Sequence, residues 1–140
     1  MTKFKINTQG HNDIINLTDK IRAIVSQSPI QQGLVLISCP GSTVGLTTIE
    51  DEPELLQDFK EFLEKLAPSN KTYRHDRVWG EKNGFAHLLS ALVKPFLTIP
   101  LENKELVLGQ WQQIVLIDFD SRPRQREIII KIIKTNESEN

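Results

Sequence analysis

The sequence predicts an α+β fold in which two or three helices pack on a mainly antiparallel sheet. Three observations support this class: strand-like segments outnumber helical ones, the two kinds do not alternate as a parallel sheet requires, and glycine or proline separates most of them. A chain of 140 residues is long enough for one domain with a hydrophobic core. We expect that domain to span residues 1–134 and the polar residues 135–140 to form a disordered tail.

Short apolar runs and period-2 alternation indicate the strands. The predicted strands are Lys3–Thr8, Leu34–Ser38, Val44–Ile49, Pro95–Leu101, Leu106–Leu108, Ile114–Phe119 and Glu127–Lys134. The Pro-Gly-Ser turn at 40–42 predicts a hairpin between the second and third of these, and Gly109 predicts another between the fifth and sixth. The last strand is apolar at successive positions, which favours a strand covered on both faces.

Three segments have helical periodicity. The first begins at Thr18, a favoured N-cap residue, and ends at Ser28-Pro29. The second begins at Pro53, which suits the first helical position, and a further proline ends its apolar stripe. The third spans Phe85–Val93. Residues 69–84, between the last two helices, form a polar loop that is long for a compact domain, and such loops are often functional.

Composition disfavours several classes of function. The net charge of −1 provides no basic field for nucleic acid or anionic lipid, so we expect neither partner. Cys39 is the only cysteine, which excludes an internal disulfide and a cysteine-based zinc site. No apolar run is long enough to span a bilayer, and residues 1–10 lack the apolar core of a signal peptide. We therefore expect a cytoplasmic protein without membrane contact.

The first candidate site contains two of the three histidines, His75 in the polar loop and His87 on the helix after it. Histidine suits proton transfer near neutral pH and is the commonest metal ligand. We expect both to converge with Glu50 on one cleft, although His87 could instead be a satisfied core histidine. A catalytic zinc usually takes three protein ligands, which the histidines and a carboxylate such as Glu50 or Asp76 could supply. The cofactor is therefore open, with Mg²⁺ or Zn²⁺ as candidates.

A second candidate site lies at the turn before the third predicted strand. Backbone amides near Ser42 and Thr43 can form an anion nest. Serine is also a common turn former and threonine a common strand former, which offers a purely structural interpretation. Glu50, at the end of this strand, could be a general base or simply a carboxylate favoured near a helix N-terminus.

A third candidate site is a cluster of arginines, Arg122, Arg124 and Arg126, that follows the sixth predicted strand. In an extended chain all three would point to one side, and arginine binds phosphate through two parallel hydrogen bonds. Asp118 and Asp120 could neutralise two of the charges. The pattern therefore predicts an anion bound by at least one of Arg124 and Arg126, with backbone amides of the turn. The alternative is a solvated strand end with surface ion pairs, each contributing little.

Several segments together resemble the YjbQ-like family, over nearly the whole chain. The most specific is LVLGQWQQI at 106–114, similar to the family pattern LGTWQ-x-I, and acidic and Pro-Arg residues follow at 118–126. Further matches are GST at 41–43, LTTIE at 46–50, YRH at 73–75, NGFAH at 83–87 and LTIP at 97–100. Gly41 and Phe85 stand where other members carry histidine, and Gln110 stands where the pattern has threonine.

This resemblance implies a YjbQ-like α+β fold assembled as a homotrimer, with polar residues gathered in a cleft near the subunit boundary. It also implies a thiamine-phosphate synthase activity, which joins a pyrimidine diphosphate to a thiazole phosphate with loss of pyrophosphate. His75, His87 and Glu50 would be catalytic, and the two histidines would be the candidate metal ligands. The candidate residues for binding phosphate are Ser42, Thr43, Asn83, Arg122, Arg124 and Arg126.

The alternative function belongs to a different class, a non-catalytic homotrimeric module that binds a phosphorylated metabolite or anion. Phe85 in a histidine position favours this binding module. The retained Glu50, His75 and His87, together with the arginines, favour a transferase. In both hypotheses the partner is a phosphorylated small molecule or anion.

Overall fold

A computed structural model describes residues 1–136 of the chain. Its strands are β1 (Thr2–Thr8), β2 (Asp13–Asn16), β3 (Gly33–Ser38), β4 (Val44–Glu50), β5 (Phe96–Glu102), β6 (Glu105–Leu106), β7 (Gln112–Asp118) and β8 (Arg124–Lys134). Its helices are α1 (Thr18–Ser26), α2 (Pro53–Leu66), α3 (Asp76–Trp79) and α4 (Gly84–Val93). The predicted α+β class is confirmed. Most of the predicted disordered tail, residues 137–140, lies outside the described residues.

The strands form two antiparallel sheets. The larger sheet has the order β1-β8-β3-β5-β6 and the smaller has the order β2-β7-β4. Strand β8 lies between β1 and β3, because Ile130 is opposite Thr2 on one side and Ile37 on the other. The first strand of the described chain is thus held in the sheet by the last.

The smaller sheet lies between two hydrophobic cores. On β7, Ile114 and Leu116 pack in the core formed with the larger sheet and α1. Val115 and Ile117 pack in the second core, formed with α2 and α4. A strand buried on both faces is apolar at successive positions, which explains the continuous apolar run in β7. The second core holds α4 over β4.

The two predicted hairpins are wrong. Strand β3 belongs to the larger sheet and β4 to the smaller, so residues 39–43 carry the chain from one sheet to the other. Likewise, β6 pairs with β5, whereas β7 pairs with β2 and β4. Alternation identifies a strand but not its partner, and a short turn can connect two sheets as well as two neighbouring strands.

The starts of the helices depend on side chains that satisfy the first backbone N–H groups. Helix α2 begins as predicted at Pro53, and the carboxylate of Glu52 accepts two of its first N–H groups. Thr18 is not the N-cap that was predicted, because its hydroxyl accepts the N–H of Ile114 on β7 at 2.8 Å. The side chain of Asn16 accepts the Thr18 N–H instead, at 2.9 Å. Thr18 therefore ties α1 to the smaller sheet.

The helices within residues 1–136 are short. The longest, α2, has 14 residues, and none of them is long and apolar enough to cross a membrane. The long polar loop predicted over residues 69–84 contains one of them, the four-residue helix α3.

Candidate functional site

The loop between α2 and α4 is fixed against the start of α4. The carboxylate of Asp76 accepts the N–H of Tyr73 and the N–H of Gly84, each at 2.9 Å. The Tyr73 hydroxyl donates to the carbonyl oxygen of Pro68, also at 2.9 Å. A Cβ on Gly84 would lie 2.6 Å from the Tyr73 Cβ, so only glycine allows this close approach. These contacts hold the polar loop in a defined position.

This position brings His75 and His87 together. Their ring centroids are 4.5 Å apart and the ring planes meet at 68°. Both rings line a cleft of about 780 Å³ between the loop and α4. Three cationic side chains line the same cleft: Lys71, Arg74 and Arg77. The cleft therefore combines a histidine pair with a concentration of positive charge.

His87 is held in its neutral form near neutral pH. Partial burial lowers its pKa below the usual 6.5, and repulsion from His75 lowers it further. The negative charge of Asp120 and the backbone of Ser42 act in the opposite direction, without reversing the shift. A neutral imidazole beside a second histidine can accept a proton from a bound molecule.

Arg126 and Asp118 form a buried ion pair between the two sheets. Nε and Nη2 of Arg126 each donate to a different oxygen of Asp118, both at 2.8 Å. Nη2 also donates to the Thr43 hydroxyl at 2.8 Å, and the Thr8 hydroxyl donates to Asp118 at 2.6 Å. Burial disfavours the charge, but Asp118 outweighs it and raises the pKa of Arg126 above its usual range. The pair joins β1 and β8 of the larger sheet to β7 of the smaller.

Asp120 neutralises Arg124 at the turn between β7 and β8. Its Oδ2 accepts from Arg124 Nε at 2.9 Å, from Arg124 Nη2 at 2.6 Å and from the Thr43 hydroxyl at 3.0 Å. Burial alone would raise the pKa of Asp120, but the Arg124 contact and the N–H of Ser121 bring that pKa below the usual value. Thr43 thus connects the two ion pairs into one network.

This network shows which groups the three predicted anion-binding arginines contact. Arg124 and Arg126 have internal carboxylate partners, while Arg122 is exposed in the turn before β8. One edge of Arg126 points towards Gly41, where an added Cβ would lie 3.1 Å from Nη1. Anion binding by these arginines remains a prediction, and their described hydrogen bonds give them a role in the framework.

Glu50 is not brought to the histidine pair within one copy of the chain. It lies at the far end of β4, opposite Gln112, whereas Val44 at the near end is opposite Asp118. Six residues of a strand span about 20 Å. Helix α4 is anchored at the near end, because Ser90 Oγ donates to the carbonyl oxygen of Val44 at 2.7 Å. The expected convergence of Glu50 with the histidines is therefore wrong for a single chain.

The residues of the cleft do not fit a zinc centre with three protein ligands. Within residues 1–136, no three histidine, cysteine, aspartate or glutamate side chains are grouped closely enough to hold a metal ion. Asp76, one of the carboxylates considered as a ligand, is occupied by two backbone N–H groups. His75 and His87 could supply only two ligands, so we assign no step to a metal.

Asn83 and the third histidine, His11, lie at the edges of this region. Asn83 is buried at the N-cap position of α4, where its Nδ2 donates weakly to Glu81 at 3.3 Å. Its Oδ1 has no partner among the described residues. The exposed His11 ring packs edge-on against the Phe85 ring, with the two ring centroids 6.2 Å apart. Phe85 itself is buried in the second core.

Sequence reasoning gave the cations of the loop no role. Lys71, Arg74 and Arg77 recur every three residues and all of them line the cleft. Their spacing was visible in the sequence, but nothing there showed that the loop folds back on α4. The Asp76 contact with Gly84, eight residues apart, provides that information.

The fold and the cleft together define a class: a two-sheet α+β protein with a histidine pair in a cationic cleft beside the smaller sheet. A family model described as "UPF0047 protein YjbQ-like" matches residues 2–135. The chain belongs to this YjbQ-like family, as its sequence motifs predicted.

Known proteins similar to this chain include a UPF0047 protein of Archaeoglobus fulgidus, 38% identical over 128 residues, covering 91% of this chain and 97% of the relative. The UPF0047 protein YugU of Bacillus subtilis is 31% identical, over 92% of this chain and 96% of the relative. An uncharacterized YjbQ/UPF0047 protein of Clostridium acetobutylicum has a similar crystal structure, with a TM-score of 0.86 and 29% identity over 95% and 100% of the two chains. A conserved hypothetical protein of Thermus thermophilus has a TM-score of 0.81 and 32% identity, over 95% and 100%.

Proposed function

We propose that the cleft binds a phosphorylated small molecule and that the chain is a transferase of the thiamine-phosphate synthase type. The observation that carries this proposal is the pairing of His75 and His87 at 4.5 Å in a cleft lined by three cationic side chains. The activity itself is what the resemblance to the YjbQ-like family implies. The geometry supports it by placing cationic side chains and a histidine pair in one cleft.

The charge of the cleft favours an anionic ligand. Lys71, Arg74 and Arg77 line it, and none of the described lining residues is acidic. Arginine binds phosphate oxygens through two parallel hydrogen bonds, and lysine binds them as a point charge. A diphosphate is large enough to contact more than one of these groups at once.

The proposed reaction needs little covalent chemistry from the protein. The ring nitrogen of the thiazole phosphate attacks the carbon that carries the diphosphate on the pyrimidine. A carbon–nitrogen bond forms, the carbon–oxygen bond breaks, and pyrophosphate leaves with the electron pair. The cations of the cleft would stabilise the developing negative charge, and positioning of the two substrates supplies the rest. His75 and His87 would hold or accept a proton beside the leaving group.

A second function, a non-catalytic binding module, is favoured by a separate observation. Phe85, at a position where other family members carry histidine, is buried in the second core with residues of α2 and β7, which leaves two histidines at the cleft. Recognition of an anion would then be retained without turnover. This function requires the same cationic lining.

The homotrimer implied by the resemblance remains part of the proposal. Leu34 of β3 lies between Ile133 of β8 and Pro100 of β5 on the outer face of the larger sheet. All three side chains are exposed, so the outer face of β8 is uncovered in one chain. Contiguous apolar surface of this kind is typical of subunit contacts. Light scattering at micromolar concentration should give three times the mass of one chain, and a monomer mass would contradict the assembly.

The test of the transferase is the release of pyrophosphate from the pyrimidine diphosphate. We expect release only when the thiazole phosphate is also present, together with formation of thiamine phosphate. Binding of the pyrimidine diphosphate without release would support the binding module. If neither the two substrates nor inorganic pyrophosphate bind, both the transferase and the binding module are excluded.

A matched pair of variants locates the binding site. Arg74→Gln removes a cation of the cleft, and Arg22→Gln removes an exposed cation of α1 that pairs with Asp19. An exposed charge contributes up to about 1 kcal/mol, so Arg74→Gln should weaken pyrophosphate binding about two- to fivefold. Arg22→Gln should leave it unchanged. Equal effects of both would indicate general attraction to the protein and not binding in the cleft.

A further inference from the structure

Asp76 connects the two segments that carry the histidines. It directly follows His75, and its carboxylate reaches Gly84, the first residue of α4, three residues before His87. One oxygen accepts the N–H of Gly84 and the other accepts the N–H of Tyr73, each at 2.9 Å. Asp76 is only 7% exposed, so water has little access to replace these contacts.

The surroundings of this contact are tight. An added Cβ on Gly84 would lie 3.0 Å from Oδ1 of Asp76 as well as 2.6 Å from the Tyr73 Cβ. The carboxylate also lies at the N-terminal end of α4, where the helix dipole favours negative charge. Within residues 1–136, no other hydrogen bond joins residues 72–80 to α4. This carboxylate therefore makes the hydrogen bond that joins the His75 segment to α4, beside the packing of Tyr73 on Gly84.

We propose that Asp76 is a positioning residue that holds the His75 ring against His87 and so sets the geometry of the pair. This inference rests on the proposed function of the cleft, because it assigns Asp76 its effect through the two histidines. Asp76 does not line the cleft and does not contact the ligand. Its two acceptor oxygens fix the backbone on both sides of His75 relative to the helix that carries His87.

The substitution Asp76→Asn tests the proposal with almost no change in volume. An asparagine has one acceptor oxygen where the carboxylate has two, so one of the two N–H groups loses its partner. The nuclear Overhauser effect between the ring protons of His75 and His87 reports their separation in solution. We expect this signal in the unaltered protein and its loss in Asp76→Asn. Affinity for inorganic pyrophosphate should fall about tenfold or more, as for a lost charge-assisted contact.

The control is Ser90→Ala, which removes a different buried hydrogen bond of α4, the one from Ser90 to Val44. We expect a lowered melting temperature with the ring-proton signal and the pyrophosphate affinity retained. A signal and an affinity retained in Asp76→Asn would overturn the positioning role. The same losses in Ser90→Ala would also overturn it, because they would show a general effect of destabilising α4.

A second measurement applies if Asp76→Asn does not fold. In the unaltered protein the amides of Tyr73 and Gly84 should exchange with solvent more slowly than the exposed amides of Thr72 and Lys82. Fast exchange at both would overturn the proposal. Loss of the ring-proton signal in Asp76→Asn but not in Ser90→Ala, in a protein that does not bind pyrophosphate, would support the positioning role and exclude the proposed function.

Discussion

The network of Arg126 and Asp118 and the cleft of His75 and His87 lie near each other, yet their charges are arranged in opposite ways. In the network each arginine has a carboxylate partner, and both ion pairs use buried aspartates. In the cleft, by contrast, none of the described lining residues is acidic, so no lining carboxylate faces the cations. Charges that neutralise each other hold the two sheets together, whereas the cations of the cleft are the groups that we propose bind a ligand.

This comparison explains how Arg124 and Arg126 of the arginine cluster are tied into the framework. Asp118 and Asp120 precede the arginines by a few residues, and the turn between β7 and β8 brings each aspartate to one arginine. Desolvation makes an unpaired buried charge costly, so pairs of this kind form within the protein first. Among residues 1–136, Lys71, Arg74 and Arg77 form no ion pair, because the nearby Asp76 is taken up by backbone N–H groups, and all three are exposed.

The largest effect should come from breaking the buried pair. Arg126→Met leaves Asp118 as an uncompensated buried carboxylate, which should cost about 3–5 kcal/mol of the free energy of unfolding. Urea unfolding at neutral pH measures this change. Lys3→Met, which removes an exposed pair with Glu127 at 3.6 Å, should cost less than about 1 kcal/mol. Similar small losses in both variants would show that the network does not stabilise the fold.

The next largest effect should be a loss of ligand affinity without a loss of stability, which would distinguish the cleft from the framework. His87→Ala should weaken pyrophosphate binding about ten- to a hundredfold, as for loss of a charge-assisted hydrogen bond. Its melting temperature should change little, since the His87 side chain is only partly buried. Calorimetric titration and a thermal melt measure the two quantities. His11→Ala is the control, with affinity retained. A large loss of stability in His87→Ala with unchanged affinity would instead indicate a core histidine.

The smallest effect is a dependence on pH that His87 should confer. Its pKa is lowered in the folded chain, so the unfolded chain binds its proton first as the pH falls. The contribution of His87 to stability is therefore complete above about pH 6.5 and decreases as the pH falls from there to the lowered pKa. Comparing the pH dependence of unfolding in the unaltered protein and in His87→Ala measures it. Identical slopes would contradict this assignment.

A bound anion should oppose this trend. Pyrophosphate favours the protonated imidazole, so its affinity should increase as the pH falls through the same range. The increase should be smaller in His87→Ala, and an equal increase in both proteins would contradict this assignment.

Local signals in the sequence predicted local structure well. Helix α2 begins at Pro53 because proline suits the first helical turn, and its apolar stripe faces the second core. Strands β1, β3 and β4 lie close to their predicted bounds. The short strand β2 was not predicted, because four residues are too few for a clear alternation.

Arrangement in space was harder to predict. The hairpins failed because each candidate pair belongs to two different sheets, which alternation does not distinguish. The meeting of His75 and His87 was predicted because they lie on either side of one polar loop. In the structure, Asp76 closes that loop. The predicted convergence of Glu50 with the histidines was wrong for a related reason. A strand is stiff, so the two ends of β4 cannot reach the same cleft.

The position of β8 in the larger sheet has a consequence for how the chain folds. β1 and β3 have no hydrogen bonds with each other, and both pair with β8, the last strand of the described chain. Thr2 pairs with Ile130, so β1 joins the sheet only after β8 is available. Contacts between residues so far apart in sequence have a large entropic cost of loop closure, which slows the folding reaction. During synthesis on the ribosome, most of the chain therefore leaves the exit tunnel before its larger sheet can assemble.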